Sequence, residues 1–386
     1  MSGVIKKCAI CAVFASILGL SGCSDSQESK QNEQQEQTMA EQTTQAMQDT
    51  QKPHKNTTKP NIVILATGGT IAGAVDSSLQ TTGYQAGVLS IESLLQSVPE
   101  LASIAHLESE QIANIDSADM SDEIWLTLAK RVNALLKSSQ VDGVVITHGT
   151  DTMEESAFFL HLVAKSDKPI VFVGAMRPSS ALSADGPKNL YNAISLAANP
   201  KSQGKGVMVV MNDRIQSARY VSKIHTLNVN AFASPNTGDM GYILDGKAFF
   251  YTTPSKPHTL QSEFDIDKLD SLPKVDILYS YANDNSQVAA QALFNHGTKG
   301  LVIAGSGAGS IHKNHKDMLK KLMQNGLVVV QSSRINNGLV IANEADSKLG
   351  FISGYDLNPQ KARVLLMLAL SKTDNNERIA KIFETY

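Results

Sequence analysis

Cysteine is nearly absent: the 386-residue chain has three, at positions 8, 11 and 23. Everything after Cys23 lacks a thiol, which excludes disulfides, thiolate catalysis and cysteine metal sites from the part that folds. An excess of charge of one sign is also missing. The 34 Lys and Arg residues against 37 Asp and Glu leave a net charge of -3, with no Lys/Arg-rich tract, which argues against nucleic acid as the main partner. The apolar run Cys8 to Leu20 is too short for a membrane-spanning helix. The nine histidines show no His-x-x-x-His or His-Glu pairing of ligand spacing, so neither a metal nor a cofactor is expected.

What is present begins with that short apolar run. Preceded by Lys6 and Lys7 and followed by Leu20-Ser21-Gly22-Cys23, it reads as a secretion signal over residues 1–22. The small residues before Cys23 resemble the lipobox of bacterial lipoproteins, in which the cysteine is acylated and becomes the mature N-terminus; ordinary cleavage without lipid is the alternative. Burial contributes roughly 0.8 kcal/mol per CH₂, so the several chains of a lipoprotein anchor stably where one would not. Ser24, rather than Asp, after the cysteine favours a periplasmic protein anchored to the outer membrane. Residues 23–59 are rich in Gln, Glu, Ser, Thr and Lys and cannot bury enough surface to offset the entropy of ordering, so they read as a disordered tether.

From Pro60 the chain alternates short β-branched runs with longer amphipathic segments. Ile62–Leu65, Val144–Ile146, Ile170–Val173 and Val207–Met211 suit strands buried on both faces, joined by helical crossovers. Residues 60–250 are therefore expected to form an α/β domain with a mainly parallel sheet flanked by helices. Residues 251–272, with Thr253-Pro254-Ser255-Lys256-Pro257, read as a linker. The alternation resumes with Ile277–Tyr279, Leu301–Ile303 and Leu327–Val330, giving a smaller parallel α/β domain over 273–386.

Ligands of such sheets bind beyond the carboxyl ends of the strands. The first strand ends in Thr67-Gly68-Gly69-Thr70-Ile71-Ala72-Gly73, where glycines allow a sharp turn. Thr67 and Thr70 either satisfy backbone groups in that turn or face a ligand. The second apolar run ends in Thr147-His148-Gly149-Thr150-Asp151-Thr152-Met153-Glu154-Glu155. There Thr150 or Asp151 either caps the next helix, with Glu154 completing a capping box, or uses the helix N-terminus to hold an anion or oxyanion. His148 suits a backbone hydrogen bond. Gly305-Ser306-Gly307-Ala308-Gly309 lacks dinucleotide spacing, and no phosphate-loop signature occurs at the first turn.

Together these motifs resemble the bacterial-type L-asparaginases of the asparaginase/glutaminase family. Gly174-Ala175-Met176-Arg177-Pro178, Ser183-Ala184-Asp185-Gly186-Pro187 and Leu357-Asn358-Pro359-Gln360-Lys361-Ala362-Arg363 add to the likeness, which runs from about Pro60 to Tyr386. With the secretion signal, it points to the periplasmic type II group. The resemblance implies hydrolysis of L-asparagine to L-aspartate and ammonia through a threonine nucleophile and an acyl-enzyme. Thr70 would attack, with Tyr84 in its proton relay, one inserted residue separating the two relative to the family. Thr150, Asp151 and Lys223 would form the second catalytic cluster, orienting water. Ser117 would bond the substrate carboxylate, and Asp151 its ammonium. Asn283 and Glu344 match residues that the family contributes from a neighbouring subunit, which implies a homotetramer built as a dimer of dimers.

Two positions depart from the family. Ala118 stands where many relatives carry a polar residue that helps hold the substrate ammonium. Ser138 and Ser166 stand where some secreted relatives carry a cross-linking cysteine pair. A mixed glutaminase-asparaginase is one rival reading, since one methylene is worth only about 1–3 kcal/mol of discrimination. A non-catalytic amino-acid-binding lipoprotein is another, which the paired threonine turns speak against.

Overall fold

The computed structural model describes residues 59–75, 77–83 and 87–386. The signal segment, Cys23 and the tether, apart from its last residue, lie outside the described residues. The strands are β1 Asn61–Gly68, β2 His106–Ile115, β3 Gly143–Thr147, β4 Ile170–Val173, β5 Val207–Met211, β6 Arg214–Ser217, β7 Ser222–Lys223, β8 Phe232–Ala233, β9 Gly241–Leu244, β10 Lys247–Phe250, β11 Val275–Tyr279, β12 Gly300–Gly305, β13 Val328–Ser333 and β14 Ile352–Ser353. The helices are α1 Ile91–Gln96, α2 Leu101–Ile104, α3 Asp122–Lys137, α4 Met153–Val163, α5 Gly186–Ala197, α6 Gln287–Asn295, α7 Lys313–Gln324, α8 Glu344–Lys348, α9 Pro359–Leu370 and α10 Asn376–Thr385.

The large sheet has eight strands in the order β10-β9-β6-β5-β4-β3-β1-β2. Strands β1 to β5 run parallel, and β6, β9 and β10 extend the sheet antiparallel. Strand β1 lies between β2 and β3, so the chain reverses its direction of travel across the sheet there, and the Thr70 turn sits at this switch point. Side chains alternate along β1: Ile62 and Ile64 join one core with helices α1, α2 and α5, whereas Val63 and Leu65 join another with α3 and α4. Every residue of β3, β4 and β5 is buried, as helix-covered parallel strands require.

The second sheet is parallel throughout, in the order β11-β12-β13-β14. Helices α6 and α7 cover one face. Helices α9 and α10 cover the other, and their apolar residues belong to the same core as α4, so one continuous core joins the two sheets. Local signals set the helix starts. Ser121 accepts the Ile124 N–H at 3.3 Å ahead of α3, and Asn358 accepts the Lys361 N–H at 3.0 Å ahead of α9, with Pro359 in its first turn. Residues Gly305–Gly309 close on themselves as a tight turn, bridged between Ser306 and Ser310. Among the described residues no helix is long and apolar enough to cross a membrane.

Ser138 and Ser166 sit in loops tied by one cation. Lys168 Nζ donates to the Ser138 and Val141 carbonyls at 2.6 and 2.7 Å, and its backbone N–H to Ser166 Oγ at 3.1 Å.

Candidate active site

Backbone contacts that only glycine permits bring the turns together. A Cβ on Gly68 (φ +101°) would lie 2.4 Å from the Ile115 carbonyl oxygen. One on Gly69 (φ +81°) would lie 2.4 Å from Gly149 Cα, and one on Gly149 would lie 2.5 Å from Ser117 Oγ. The turns after β1, β2 and β3 therefore stack backbone on backbone, and Thr70 and Thr150 each follow a glycine of the same contact. Thr67 Oγ1 donates to the Thr147 carbonyl at 2.9 Å, so Thr67 carries the structural role that was one reading of this turn. Thr70 is buried in the 3₁₀ turn Thr70–Ala72.

Around Thr150 the groups are polar and close. Lys223 Nζ donates to Thr150 Oγ1 at 2.9 Å and to Asp151 Oδ1 at 2.5 Å. Thr150 is buried, whereas the Asp151 side chain is 58% exposed, so one end of the ion pair faces solvent where a ligand can reach it. Ser117, itself buried, accepts the Asp151 N–H at 3.2 Å, and its carbonyl accepts Thr152 Oγ1 at 2.7 Å. His148 Nδ1 lies 2.7 Å from the Gly149 carbonyl, the backbone bond expected of it. Burial holds its imidazole down to about 4, so it is neutral near pH 7. Asp185 accepts the Met176 and Arg177 N–H groups at 3.0 and 2.9 Å, joining the Gly174–Pro178 and Ser183–Pro187 motifs. Among the described residues no three His, Cys, Asp or Glu side chains converge as a metal site.

Residues 61–256 match the family model described as Asparaginase, N-terminal, and residues 274–383 match the Glutaminase/Asparaginase C-terminal domain. The chain belongs to the asparaginase family. Relatives include the probable periplasmic L-asparaginase of Haemophilus influenzae, 51% identical over 85% of this chain and 93% of that protein. L-asparaginase 2 of Escherichia coli is 50% identical over 85% of this chain and 93% of its own. A solved structure of a probable cytoplasmic L-asparaginase from Campylobacter jejuni matches with a TM-score of 0.84 and 62% identity, covering 85% of this chain and 100% of that one.

Of the residues that the family likeness singled out, Ser117, Thr150, Asp151 and Lys223 are linked by hydrogen bonds, with Thr70 on the adjoining turn. Tyr84 lies outside the described residues. Asn283 and Glu344 are exposed on the second sheet's side, after β11 and at the start of α8, and Glu344 pairs with Lys348 at 2.7 Å. Ala118 is exposed and presents only a methyl group, its N–H bonded to Asp116 Oδ1 at 3.1 Å.

The capping box that was one reading of this turn is not formed. Thr152 occupies the N-cap of α4 without a side-chain cap bond, and Glu154 turns away to accept the Lys223 N–H at 2.8 Å. Fold-level contacts override the local motif because Lys223, Asn358 and Gln360 all present N–H donors to a carboxylate that is only 4% exposed. Nothing in the local sequence marks this; the trace available was the polar stretch Gln360-Lys361-Ala362-Arg363 at the start of a helix whose remaining residues are apolar.

Proposed function

We propose that this asparaginase-family chain hydrolyses the side-chain amide of L-asparagine, giving L-aspartate and ammonia, with Thr70 as nucleophile. The observation that carries the reading is the packing of Gly69 on Gly149, which sets Thr70 beside Thr150, itself held by the Lys223–Asp151 pair. Thr70 Oγ attacks the amide carbonyl, its proton passes through Tyr84 to the departing nitrogen, and ammonia leaves. Water, oriented by Thr150 and Lys223, then cleaves the ester and releases aspartate. Ser117 and the exposed carboxylate of Asp151 bind the substrate's carboxylate and ammonium ends.

A second copy completes the site with Asn283 and Glu344, in a homotetramer. Support comes from exposed apolar residues on the same side as those two: Tyr281, Leu339 and Ile341 are 49%, 60% and 69% exposed. Acylation of Cys23 holds the protein in the periplasm on the outer membrane, a reading supported by the lipobox and by the periplasmic relative. Residues 60–250 and 273–386 act as the two domains, joined by 251–272.

The test is ammonia release by the purified protein from L-asparagine, L-glutamine and D-asparagine in parallel. Turnover of L-asparagine above glutamine, lost in Thr70→Ala and in Thr150→Ala, is expected. Full activity in both variants would refute the mechanism, and equal turnover of glutamine would replace the substrate assignment with the mixed one. Incorporation of labelled palmitate that disappears in Cys23→Ser tests the anchor.

A further inference from the structure

Lys223 reaches Thr150 from a piece of chain that neither main sheet holds. Its strand, β7, is two residues long and pairs only with the two-residue β8. The backbone there is fixed instead by a buried carboxylate. Glu154 Oε2 accepts the Lys223 N–H at 2.8 Å, and Oε1 accepts Asn358 Nδ2 at 3.0 Å and Gln360 Nε2 at 3.2 Å. Asn358 Nδ2 also meets Ser222 Oγ at 3.1 Å. One turn further on, the enclosed Lys361 Nζ donates to the carbonyls of Arg219, at 3.1 Å, and Val221. Arg219 in turn donates to Asp356 at 2.6 Å. The stretch Arg219–Lys223 is thus held by the first turn of α4 and by the start of α9.

We infer that Glu154 is a positioning residue that, with Asn358 and Gln360, sets the Lys223 ammonium against Thr150 and makes that placement depend on the segment that carries α9. The inference rests on the role given to Lys223 above. Both carboxylate oxygens are engaged from opposite sides, Lys223 on one and α9 on the other. An amide at 154 keeps the shape but turns one end from acceptor into donor, facing the N–H groups of Asn358 and Gln360. Something must move, and a shift of about 1 Å at a catalytic group costs on the order of 100-fold. Substrate contacts through Ser117 are untouched, so the loss belongs in kcat rather than KM.

The experiment compares kcat and KM for L-asparagine in the full chain carrying Glu154→Gln, Glu154→Gln with Asn358→Asp, Gln360→Leu and Lys223→Met. Glu154→Gln is expected to lower kcat about 30- to 100-fold with KM within about threefold. The paired variant restores an acceptor opposite the new amide while still capping α9, and is expected to recover kcat to within about fivefold. Gln360→Leu removes one donor to Glu154 together with a buried oxygen that has no partner among the described residues. It should therefore lower kcat about threefold without lowering Tm, a separation that a purely structural role cannot produce. Should Glu154→Gln fail to fold, the paired variant and Gln360→Leu decide: restored kcat in the first and reduced kcat in the second support the inference, and unchanged kcat in Gln360→Leu overturns it. Folded Glu154→Gln with kcat within twofold of the parent also overturns it. If the parent releases no ammonia, or Lys223→Met is fully active, the functional reading fails instead; an active parent, dead Lys223→Met and normal Glu154→Gln sink this inference alone.

Discussion

Replacing Gly69 with alanine tests the glycine contact on which the site is built. The new Cβ would lie 2.4 Å from both Gly149 Cα and N and 3.0 Å from the His148 carbonyl carbon, where ordinary contacts begin at 3.4 Å. All three are backbone atoms, so no side chain can swing aside, and the two turns must part by about 1 Å. Gly69 also has φ +81°, a conformation that costs a residue with a Cβ about 1–3 kcal/mol. Strain and overpacking together destabilise by about 2–5 kcal/mol, seen as a Tm fall of about 3–10 °C. The catalytic effect is larger: parting the turns displaces Thr70 from Thr150, and 1 Å of misplacement costs about 100-fold in kcat. Gly204→Ala is the control, because Gly204 has φ +71° but a Cβ there meets nothing within 4 Å. It should lose about 1 kcal/mol and keep full activity. Steady-state ammonia release and thermal unfolding of both variants supply the numbers. Folded Gly69→Ala with kcat within about threefold of the parent would show that the Gly69–Gly149 contact does not set the site.

Mixing two inactive variants, Thr70→Ala and Asn283→Ala, after reversible dissociation should restore activity, because a mixed pair of subunits has one intact composite site; about a quarter of parental activity is the expected ceiling, and none would argue against sharing. His148 stays neutral in the fold down to about pH 4, whereas unfolded histidine takes up its proton near 6.5, so its contribution to stability falls as pH drops through that window. Glu155 works in the opposite sense: burial pushes its carboxyl up to about 7, so its contribution falls as pH rises from 4.5 to 7. His148→Gln should therefore change the slope of unfolding free energy against pH between 4.5 and 6.5 by up to about 1.4 kcal/mol per pH unit, read from urea melts; an unchanged slope refutes it. Lys168→Met removes the ammonium tie between the Ser138–Val141 loop and the loop of Ser166 and should cost about 1–2 kcal/mol, with activity intact; an unchanged urea midpoint would count against that tie.

Most of the strands that could be read from the chain are buried on both faces, the half-exposed edge strand β11 being the exception. β3, β4, β5 and β12 are continuous apolar runs because helices cover both sides, and a run of that kind needs no partner to be noticed. Strand β2 escaped the same reading: it is an edge strand, carries Glu108, Ser109 and Glu110, and has no fully buried residue, so neither a continuous run nor clean alternation marks it. The antiparallel β6, β9 and β10 are short and partly exposed and escape for the same reason.

The candidate site divides along a similar line. Its glycines and threonines follow strands and are visible as motifs, since a backbone that must pass within contact distance of another backbone leaves glycine in the sequence. Glu154 left only a misleading trace, because Asp-x-x-Glu at a helix start, here Asp151 to Glu154, has a local meaning that the fold does not use. Its real partner, Asn358, is 204 residues away and is brought near by α9 packing against α4 in the core shared by both sheets. A buried carboxylate cannot remain unsatisfied, so donors had to arrive from somewhere, and those that reach Glu154 come from Lys223 and the start of α9. The requirement that Glu154 be hydrogen-bonded therefore ties the first turn of α4 to the α9 segment, and it does so through Lys223, the residue whose ammonium touches Thr150.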